Sequence, residues 1–276
     1  MPELPEVETI CRGLATQILQ QPISKVLIRQ PQLRWEIPKI ITSILPGVCF
    51  LSITRRGKYL LLETQTGTLI IHLGLTGNLR VLPENHPFQP HEHLRIYFTS
   101  KKALCFIDPR RFGACLWTEN DSSLHPLIAS LGQEPLTPEF NCDLLVTKIK
   151  NRKTPIKQLL MDSHIVTGIG NIYASEALFL ARIHPLTPAK NLSNVHCTTL
   201  VTVIKQVLSA AIEQGGTTIR DYINSEGQSG HFQQKLNVYG RTKQPCKNCQ
   251  TPIEEIRLGQ RSTFYCPKCQ PLLQSH

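Results

Sequence analysis

The sequence has few acidic residues for its size and contains no long apolar run. Only 20 Asp and Glu stand against 30 Lys and Arg among 276 residues, which gives a formal net charge of +10. No uninterrupted apolar run approaches the roughly 18 residues of a membrane span, and no basic start precedes an apolar signal core. We therefore expect no membrane partner and a polyanionic one, such as nucleic acid.

Strand–helix–strand repeats and low-complexity segments are also missing. An opening apolar stripe of helical period is followed by eight short strand-like runs, punctuated by five glycines. The runs lie at residues 25–29, 48–53, 59–63, 68–72, 79–82, 94–99, 103–107 and 115–118. Many short strands with glycine-rich turns predict a sandwich or barrel. We expect one domain over residues 1–130, a β-sandwich with an N-terminal helix.

The hydrophobic pattern of the sequence changes between Ser122 and Asn141. Three prolines and a glycine interrupt any regular period there, so we expect the interdomain hinge in this segment. Beyond it the pattern is helical, at residues 144–150, 155–161, 172–182 and 193–214. Ser193 is a candidate N-cap of the last helix, and Gly215 and Gly216 end it. The sequence thus predicts an α+β protein with a helical domain over residues 131–235 and a third domain over residues 236–276.

Four of the ten cysteines have the spacing of metal ligands. They form two Cys-x2-Cys pairs separated by sixteen residues: Cys246, Cys249, Cys266 and Cys269. This spacing arranges four thiolates around Zn²⁺ on the two knuckles of a β-hairpin. Because four sulfur ligands leave no open position, the predicted zinc is structural, and the hairpin presents Arg257 and Arg261. The other six cysteines are expected to be buried side chains.

The first residues of the chain could act as a nucleophile and a proton donor. Met1 precedes the small residue Pro2, so its removal is expected, and the α-amine that this leaves would titrate at about 7.7–8.0. A neutral secondary amine attacks carbon electrophiles to give an iminium, and the neighbouring Glu3 can exchange a proton. The alternative is an ordinary helix start, with Pro5 at the first helical position and Glu6 in the first turn.

A glycine turn and a run of cations precede one predicted helix. The segment Thr167–Ile172 reads TGIGNI, and glycines before a helix let backbone N–H groups approach a phosphate. A dinucleotide fingerprint would need a preceding strand and a third glycine, and both are missing. Upstream lie five cations and no carboxylate: Lys148, Lys150, Arg152, Lys153 and Lys157. Such a run is often only a solvated surface, but beside this turn it favours contact with the DNA backbone.

Taken together, these motifs resemble the formamidopyrimidine-DNA glycosylase family. The matching segments are MPELPEVET at the start, RRGKYLL (55–61), HLGLTG (72–77), DPRRFG (108–113), GIGNIYASEALF (168–179) and RSTFYCPKC in the cysteine hairpin. They follow the family order over essentially the whole chain. The resemblance implies a β-sandwich joined by a hinge to a helical domain with a helix-two-turn-helix element and a zinc ribbon, with damaged DNA between them.

The activity implied by the resemblance is that of a bifunctional DNA glycosylase and lyase of base excision repair. Such an enzyme removes oxidised purines, 8-oxoguanine and formamidopyrimidines, and then cleaves the strand by β,δ-elimination. We also expect a monomer with one structural Zn²⁺ and no small-molecule cofactor. Because no signal core is seen and the cysteines suit a reducing compartment, we expect it to be cytoplasmic, and nucleoid-associated through DNA binding.

Residue roles follow from the same resemblance. Pro2 matches the nucleophile that attacks C1′ of a flipped-out nucleotide, and Glu3 matches the proton donor to the opening sugar. Lys58 matches the lysine that assists β-elimination, and Arg261 matches the arginine of δ-elimination. The positions matching DNA contacts are His91, Arg110, Arg152 and Asn171. His91 and His93 by themselves would suggest a metal pair, but no third-ligand constellation supports one.

Flipping a nucleotide leaves a hole and an orphaned base, and the resemblance assigns three residues to fill it. Arg110 offers hydrogen-bond donors to the cytosine left unpaired by flipping, and Phe112 inserts as a wedge between bases. Leu75 stands where the family usually has Met, and leucine is branched and less adaptable. We expect this departure to affect lesion search rather than the chemistry.

Two alternatives stay open. An endonuclease VIII-type enzyme uses the same Pro-Glu start on oxidised pyrimidines, but the glycine-rich segment 226–240 resembles the longer lesion-capping loop of the purine-specific class. A catalytically silent DNA-binding zinc protein would explain the charge and the ribbon, but not the co-occurrence of Pro2, Glu3 and Lys58.

Overall fold

The computed structural model describes residues 2–216 and 236–273. These residues fall into two compact units. We call residues 2–130 with 214–216 the N-terminal unit, and residues 131–213 with 236–273 the C-terminal unit.

The N-terminal unit begins with helix α1 (Leu4–Ile18), whose predicted apolar stripe is confirmed. Val7, Ile10, Leu14 and Ile18 are all buried. The helix starts one residue earlier than the sequence predicts, because Glu3 rather than Leu4 is the N-cap. Pro5 is therefore the second helical residue, where its missing N–H still costs no intrahelical hydrogen bond.

Two four-stranded antiparallel sheets follow, and they share one hydrophobic core with α1. The first has the order β1-β6-β7-β5 and the second β2-β3-β4-β8. The strands are β1 (Ile23–Ile28), β2 (Ser52–Arg56), β3 (Tyr59–Glu63), β4 (Thr68–His72), β5 (Asn78–Pro83), β6 (Glu92–Phe98), β7 (Lys102–Ile107) and β8 (Ala114–Thr118). The predicted β-sandwich with an N-terminal helix is therefore confirmed.

Sequence reasoning misplaced one strand. The apolar run 48–53 is not β2, which starts at Ser52 and pairs with β3 through the turn at Gly57. Residues around Cys49 and Phe50 form only isolated bridges with Pro22 and Leu19. A short helix before them, α2 (Ile41–Ile44), also has no signal in the sequence pattern. Val48 and Phe50 pack in or against the hydrophobic core, but residues 48–50 do not extend the β2–β3 strand pairing.

The C-terminal unit is helical and ends in a β-hairpin. The first stretch of the N-terminal unit, residues 2–130, ends with a 3-10 turn (Ser122–Leu124) and α3 (Pro126–Ala129). The helices of the C-terminal unit are α4 (Cys142–Ile149), α5 (Ile156–Leu160), α6 (Asn171–Leu180) and α7 (Asn194–Glu213), with a 3-10 turn (Ala189–Asn191) before α7. The predicted cap of α7 is confirmed, since the Ser193 hydroxyl accepts the His196 N–H at 3.4 Å.

Helix α7 is long and apolar enough, by length and composition alone, to cross a membrane. Polar residues interrupt its sequence, and its buried residues pack against α4 and α6. Its apolar character is thus that of a helix in the core of the C-terminal unit.

The hairpin consists of β9 (Glu254–Leu258) and β10 (Arg261–Tyr265), paired from Leu258–Arg261 to Glu254–Tyr265. Gly259 and Gln260 form its two-residue turn, and both have positive φ angles, 55° and 63°. This is the backbone of a tight hairpin turn that matches the twist of the strands.

Candidate functional site

The N-terminus combines a helix start with a candidate proton donor. Glu3 is only 2% exposed, and its backbone N–H donates to Glu6 Oε2 at 2.8 Å. The Glu3 side chain in turn accepts the backbone N–H of Glu6, which completes a capping box. Pro2, also buried, directly precedes this cap. The two residues assigned to chemistry are therefore held at the end of a rigid helix.

Gly216 packs against the same helix start. A Cβ atom at this position would lie 2.9 Å from Glu6 Oε1, and the backbone φ of Gly216 is +82°. Only glycine combines this conformation with so close an approach. The chain leaving α7 therefore contributes to the surroundings of the capping box.

The turn that carries Lys58 is tied to α1 by an arginine that sequence reasoning missed. Arg55 Nε donates to Glu8 Oε2 at 2.8 Å, and its NH1 group donates to the Gly57 carbonyl at 3.0 Å. Burial would raise the pKa of Glu8, but the hydrogen bonds from Arg55 and Arg12 hold that pKa below its usual value. The ionised Glu8 thus anchors the Lys58 turn to α1, the helix that closely follows Pro2.

His72 lies on β4 beside this turn and is neutral at physiological pH. Burial, together with the positive charges of Lys58 and Arg34, lowers the pKa of its ring to about 4. The neutral ring lies 4.7 Å from the Tyr59 ring, and its Nδ1 accepts the Gly74 N–H at 3.0 Å. His72 therefore fixes the start of the next loop instead of adding a charge to the site.

Two loops present the three residues matched to the family wedge. We call residues 73–77, between β4 and β5, the Leu75 loop, and residues 108–113, between β7 and β8, the Arg110 loop. Phe112 is 45% exposed, and the Arg110 guanidinium lies 4.8 Å from the centre of its ring. Leu75 is half-buried and Arg110 is exposed. A guanidinium stacked on an exposed ring forms a flat, partly apolar tip.

A third loop, residues 84–91 between β5 and β6, ends at His91. A buried ion pair holds this loop in place. The Arg95 guanidinium, 1% exposed, donates to Glu92 Oε2 at 2.8 Å and to the His86 carbonyl at 2.8 Å. It also lies 4.4 Å from the Phe88 ring centre. His91 itself is exposed, with φ of 60°.

No metal pair forms at this loop. His93 is buried, and its Nε2 lies 2.7 Å from the Asp108 carbonyl oxygen. Among the residues that the structure describes, the only group suited to a metal is the cysteine cluster.

In the C-terminal unit, the run of cations divides. Lys150, Arg152 and Lys153 are exposed, and Lys148 is half-buried. Lys157 is 1% exposed, and its ammonium donates to Thr263 Oγ1 at 2.7 Å and to the Ser262 carbonyl at 3.3 Å. The interpretation of Lys157 as part of the DNA-facing run is therefore wrong, because its charge is satisfied inside the unit.

Asn171, the first residue of α6, contacts the same strand. Its Nδ2 donates to the Ser262 carbonyl at 2.9 Å. Ser262 follows Arg261, whose side chain is exposed next to the hairpin turn. Lys157 and Asn171 together hold the backbone beside Arg261, so the helices and the hairpin form one support for that arginine.

The four cysteines of the hairpin form a compact cluster. All four sulfurs lie within 4.8 Å of one another, with Cys249 and Cys266 at 3.4 Å and Cys246 and Cys269 at 3.9 Å. Tetrahedral zinc–thiolate bonds place sulfurs about 3.8 Å apart. Backbone N–H groups of Asn248 and Cys269 point at the sulfurs of Cys246 and Cys266, each at 3.4 Å. The donor set and its geometry fit one structural Zn²⁺.

Two buried polar residues that sequence reasoning missed connect the cluster to the helices. The Glu176 carboxylate on α6 accepts the backbone N–H groups of Asn237, Val238 and Tyr239 at 2.8–2.9 Å. Gln270 accepts the Cys266 N–H at 2.9 Å and donates to the Ile183 carbonyl at 2.8 Å. Apart from Cys266, which is four positions from Gln270, their partners are 61–87 positions away, so no local signal could have found these contacts.

The predicted site residues are thus divided between the two units. The N-terminal unit holds Pro2, Glu3, Lys58, Leu75, His91, Arg110 and Phe112. The C-terminal unit holds Arg152, Asn171, Arg261 and the four cysteines.

Comparison with known proteins covers nearly the whole chain. Family models match residues 1–115 (formamidopyrimidine-DNA glycosylase N-terminal domain), 131–223 (formamidopyrimidine-DNA glycosylase H2TH domain) and 243–272 (zinc finger found in FPG and IleRS). The formamidopyrimidine-DNA glycosylase of Hydrogenovibrio crunogenus is 50% identical over 275 residues, covering 100% of this chain and 98% of the relative.

Solved structures show the same likeness in three dimensions. A Lactococcus lactis Fpg variant in complex with DNA containing Fapy-dG superposes with a TM-score of 0.91 at 34% identity, covering 98% of this chain and 100% of that one. A structure of MutM with DNA containing carbocyclic 8-oxo-G gives a TM-score of 0.90 at 34% identity and the same coverage.

Proposed function

The chain belongs to the formamidopyrimidine-DNA glycosylase family, and from this premise we propose that it is a base excision repair enzyme that removes oxidised purines and then cleaves the strand. The full-length match to a named glycosylase carries this proposal. The lesions in the related complexes, Fapy-dG and 8-oxo-G, are both oxidised purines. The enzyme acts on damaged double-stranded DNA as a monomer, in the cytoplasm and associated with the nucleoid.

In the proposed reaction, the Pro2 nitrogen forms a bond to C1′ of the flipped-out nucleotide while the bond from C1′ to the base breaks. The base leaves with the bonding electron pair and takes up one proton, which balances the proton that the Pro2 nitrogen loses. Glu3 donates a proton to the sugar oxygen, so the ring opens and the C1′–N bond becomes an iminium. The iminium acidifies the neighbouring C–H group, and loss of that proton expels the 3′ phosphate. Lys58 assists this β-elimination, and Arg261 assists the following δ-elimination.

The local geometry of the N-terminal unit supports these roles. Pro2 lies just before the N-terminus of α1. The helix dipole disfavours an additional positive charge there and so favours a neutral amine. The Arg55 hydrogen bonds to Glu8 and Gly57 fix the Lys58 turn to the same helix. Preorganised groups of this kind lower the cost of reaching a reactive geometry.

For DNA contact, we propose His91, Arg110, Arg152 and Asn171, with Leu75 and Phe112 as the apolar wedge. Arg152 would neutralise phosphates, and Arg110 would read the orphaned base. The domain boundaries 1–130, 131–235 and 236–276 belong to the same proposal. Most of segment 226–240, which favours purine over pyrimidine lesions, lies outside the described residues, as does Met1.

The zinc ion is structural in this proposal. Cys246, Cys249, Cys266 and Cys269 would hold it, and it would supply rigidity to the hairpin that carries Arg261. With four sulfur ligands it has no position for water, so no step of the reaction passes through it.

The deciding experiment is borohydride trapping on a duplex with one 8-oxoguanine opposite cytosine. Protein that starts at Pro2, verified by intact mass, is expected to form a covalent adduct with the DNA, because a borohydride-reducible iminium requires an amine nucleophile. Protein with a blocked N-terminus, through a tag or retained Met1, is expected to bind the duplex without forming the adduct.

The controls separate the alternatives. Equal trapping by blocked protein would move the nucleophile away from Pro2, with Lys58 as the next candidate. Trapping only on an oxidised-pyrimidine duplex would assign the enzyme to the endonuclease VIII class. Binding without any trapping would leave a non-catalytic DNA-binding protein.

A further inference from the structure

The Leu75 loop and the Arg110 loop have little regular structure, yet their tips carry the three side chains matched to the wedge. An exposed loop of this kind would normally sample many conformations, and ordering each residue costs about 1–2 kcal/mol. Something in the fold must therefore hold both loops in one arrangement.

Asp108, at the first position of the Arg110 loop, bonds to both. Its carboxylate is fully buried, and Oδ1 accepts the Thr76 hydroxyl at 2.6 Å and the Arg110 backbone N–H at 3.3 Å. Oδ2 accepts the Gly113 N–H at 2.8 Å. A buried carboxylate with these donors is bound by charge-assisted hydrogen bonds, which are about twice as strong as neutral ones. One side chain thus spans the start and the end of its own loop and reaches the neighbouring one.

The two loops also touch through their backbones. A Cβ atom at Gly74 would clash with the Phe112 carbonyl carbon, and Gly74 has φ of +62°. A Cβ atom at Gly113 would lie 2.9 Å from the His72 carbonyl and 3.0 Å from Asp108 Oδ2. The glycines allow the approach, and Asp108 supplies the polar connection between the loops.

We propose that Asp108, through the Thr76 hydroxyl, is a positioning residue that presets Leu75, Arg110 and Phe112 for insertion into the lesion-containing duplex. This inference rests on the proposed function. Asp108 is buried, so it acts on DNA only through the loops it holds. A preset wedge pays its ordering cost during folding rather than at each encounter with DNA.

The test uses substitutions graded by chemistry. Thr76→Val removes the hydroxyl and keeps the shape, Thr76→Ser keeps the hydroxyl, and Asp108→Asn replaces one acceptor with a donor. The matched control is Asp121→Asn, an exposed carboxylate in the same unit that accepts the Ser123 N–H at 2.8 Å. Each protein is assayed for single-turnover excision of 8-oxoguanine opposite cytosine and opposite adenine.

Two further readouts distinguish positioning from general damage. A 2-aminopurine next to the lesion reports unstacking by the wedge, and trapping on a single-stranded abasic oligonucleotide reports the chemistry without any duplex to open. Thr76→Val and Asp108→Asn are expected to lower duplex excision and the preference for cytosine about tenfold, equivalent to about 1.4 kcal/mol. The 2-aminopurine signal should fall with them, while single-stranded trapping should stay at the wild-type level. Thr76→Ser and Asp121→Asn should behave as wild type.

Wild-type excision, base preference and 2-aminopurine signal in both Thr76→Val and Asp108→Asn would overturn the proposal. Equal losses on duplex and single-stranded substrates would also overturn it, since they would indicate a general structural role. Failure of the wild-type protein itself to trap on either substrate would instead refute the proposed function.

Discussion

At the scale of single residues, Glu3 has two tasks that a careful substitution can separate. Its side chain accepts the Glu6 N–H in the capping box, and we propose that it also donates a proton during ring opening. Replacing a capping residue with alanine commonly costs about 1 kcal/mol of stability, so an alanine variant would confuse the two tasks.

Glu3→Gln is the better test, because an amide oxygen still accepts the Glu6 N–H but the amide does not act as a general acid at neutral pH. This variant is expected to bind lesion-containing duplex like wild type and to lose base excision. Binding and single-turnover excision measured on the same duplex check the expectation. Excision at the wild-type rate would remove Glu3 from the mechanism, even with Pro2 confirmed as the nucleophile.

His72 predicts a pH dependence of stability in the N-terminal unit. Its pKa is about 4 in the folded protein against an ordinary value of 6.5. Between these values the unfolded chain binds a proton at this histidine and the folded chain does not, so unfolding becomes more favourable as the pH falls from 6.5 towards 4. One proton corresponds to about 1.4 kcal/mol per pH unit.

The measurement is chemical unfolding followed by tryptophan fluorescence, since both tryptophans, Trp35 and Trp117, lie in the N-terminal unit. His72→Gln is expected to flatten the dependence between pH 6.5 and 4, and the exposed-site control His164→Gln is expected to keep it. The same slope in wild type and His72→Gln would show that other groups govern the acid response.

At the scale of elements, the β9–β10 hairpin depends on supports at both ends. The cysteine cluster lies at one end, and Lys157 and Asn171 hold the Ser262 carbonyl near the other. Because Arg261 directly precedes Ser262 on β10, and β10 leads to Cys266 of the cluster, zinc binding and the position of the arginine are coupled through one short hairpin.

Cys246→Ser is expected to abolish zinc retention and to weaken binding to lesion-containing DNA, because structural zinc contributes folding free energy directly. The tryptophan fluorescence of the N-terminal unit should not change. Zinc content by a colorimetric chelator and DNA binding on the same preparation test this. Cys142→Ser, at a half-buried cysteine outside the cluster, is the control, and full DNA binding by zinc-free Cys246→Ser protein would contradict the coupling.

At the scale of the whole molecule, the net charge of +10 favours a polyanion, and individual arginines divide the work. For duplex DNA, the slope of log affinity against log salt is about −0.9 per phosphate neutralised. Arg152→Ala is expected to reduce this slope by about one contact and to leave lesion preference unchanged. Arg110→Ala is expected to relax discrimination of the opposite base by about 1–3 kcal/mol.

Salt titrations and opposite-base competition on both variants provide the check. Lys157→Ala offers a contrast, since its buried ammonium contacts the hairpin. Its loss should act through the hairpin instead of through a phosphate contact. Indistinguishable salt slopes and base preferences for Arg152→Ala and Arg110→Ala would refute the division of work.

Much of this protein was determined by short stretches of sequence. The spacing of Cys246, Cys249, Cys266 and Cys269 predicted the metal cluster, and the apolar period of residues 7–18 predicted α1. Alternating runs located seven of the eight sandwich strands to within a few residues. These signals succeed because neighbours in the sequence set backbone conformation, side-chain facing and ligand spacing locally.

Only the tertiary structure decided which polar groups are used inside the protein. Lys157 looked like a member of an exposed cationic run, but it bonds to Thr263, 106 positions away. Asp108 stood within a matched motif without a role of its own until Thr76, 32 positions away, was seen to donate to it. A buried polar group without a hydrogen-bond partner destabilises the fold through its lost hydration. Which partner it has depends on how distant segments pack together, and no local sequence pattern contains that information.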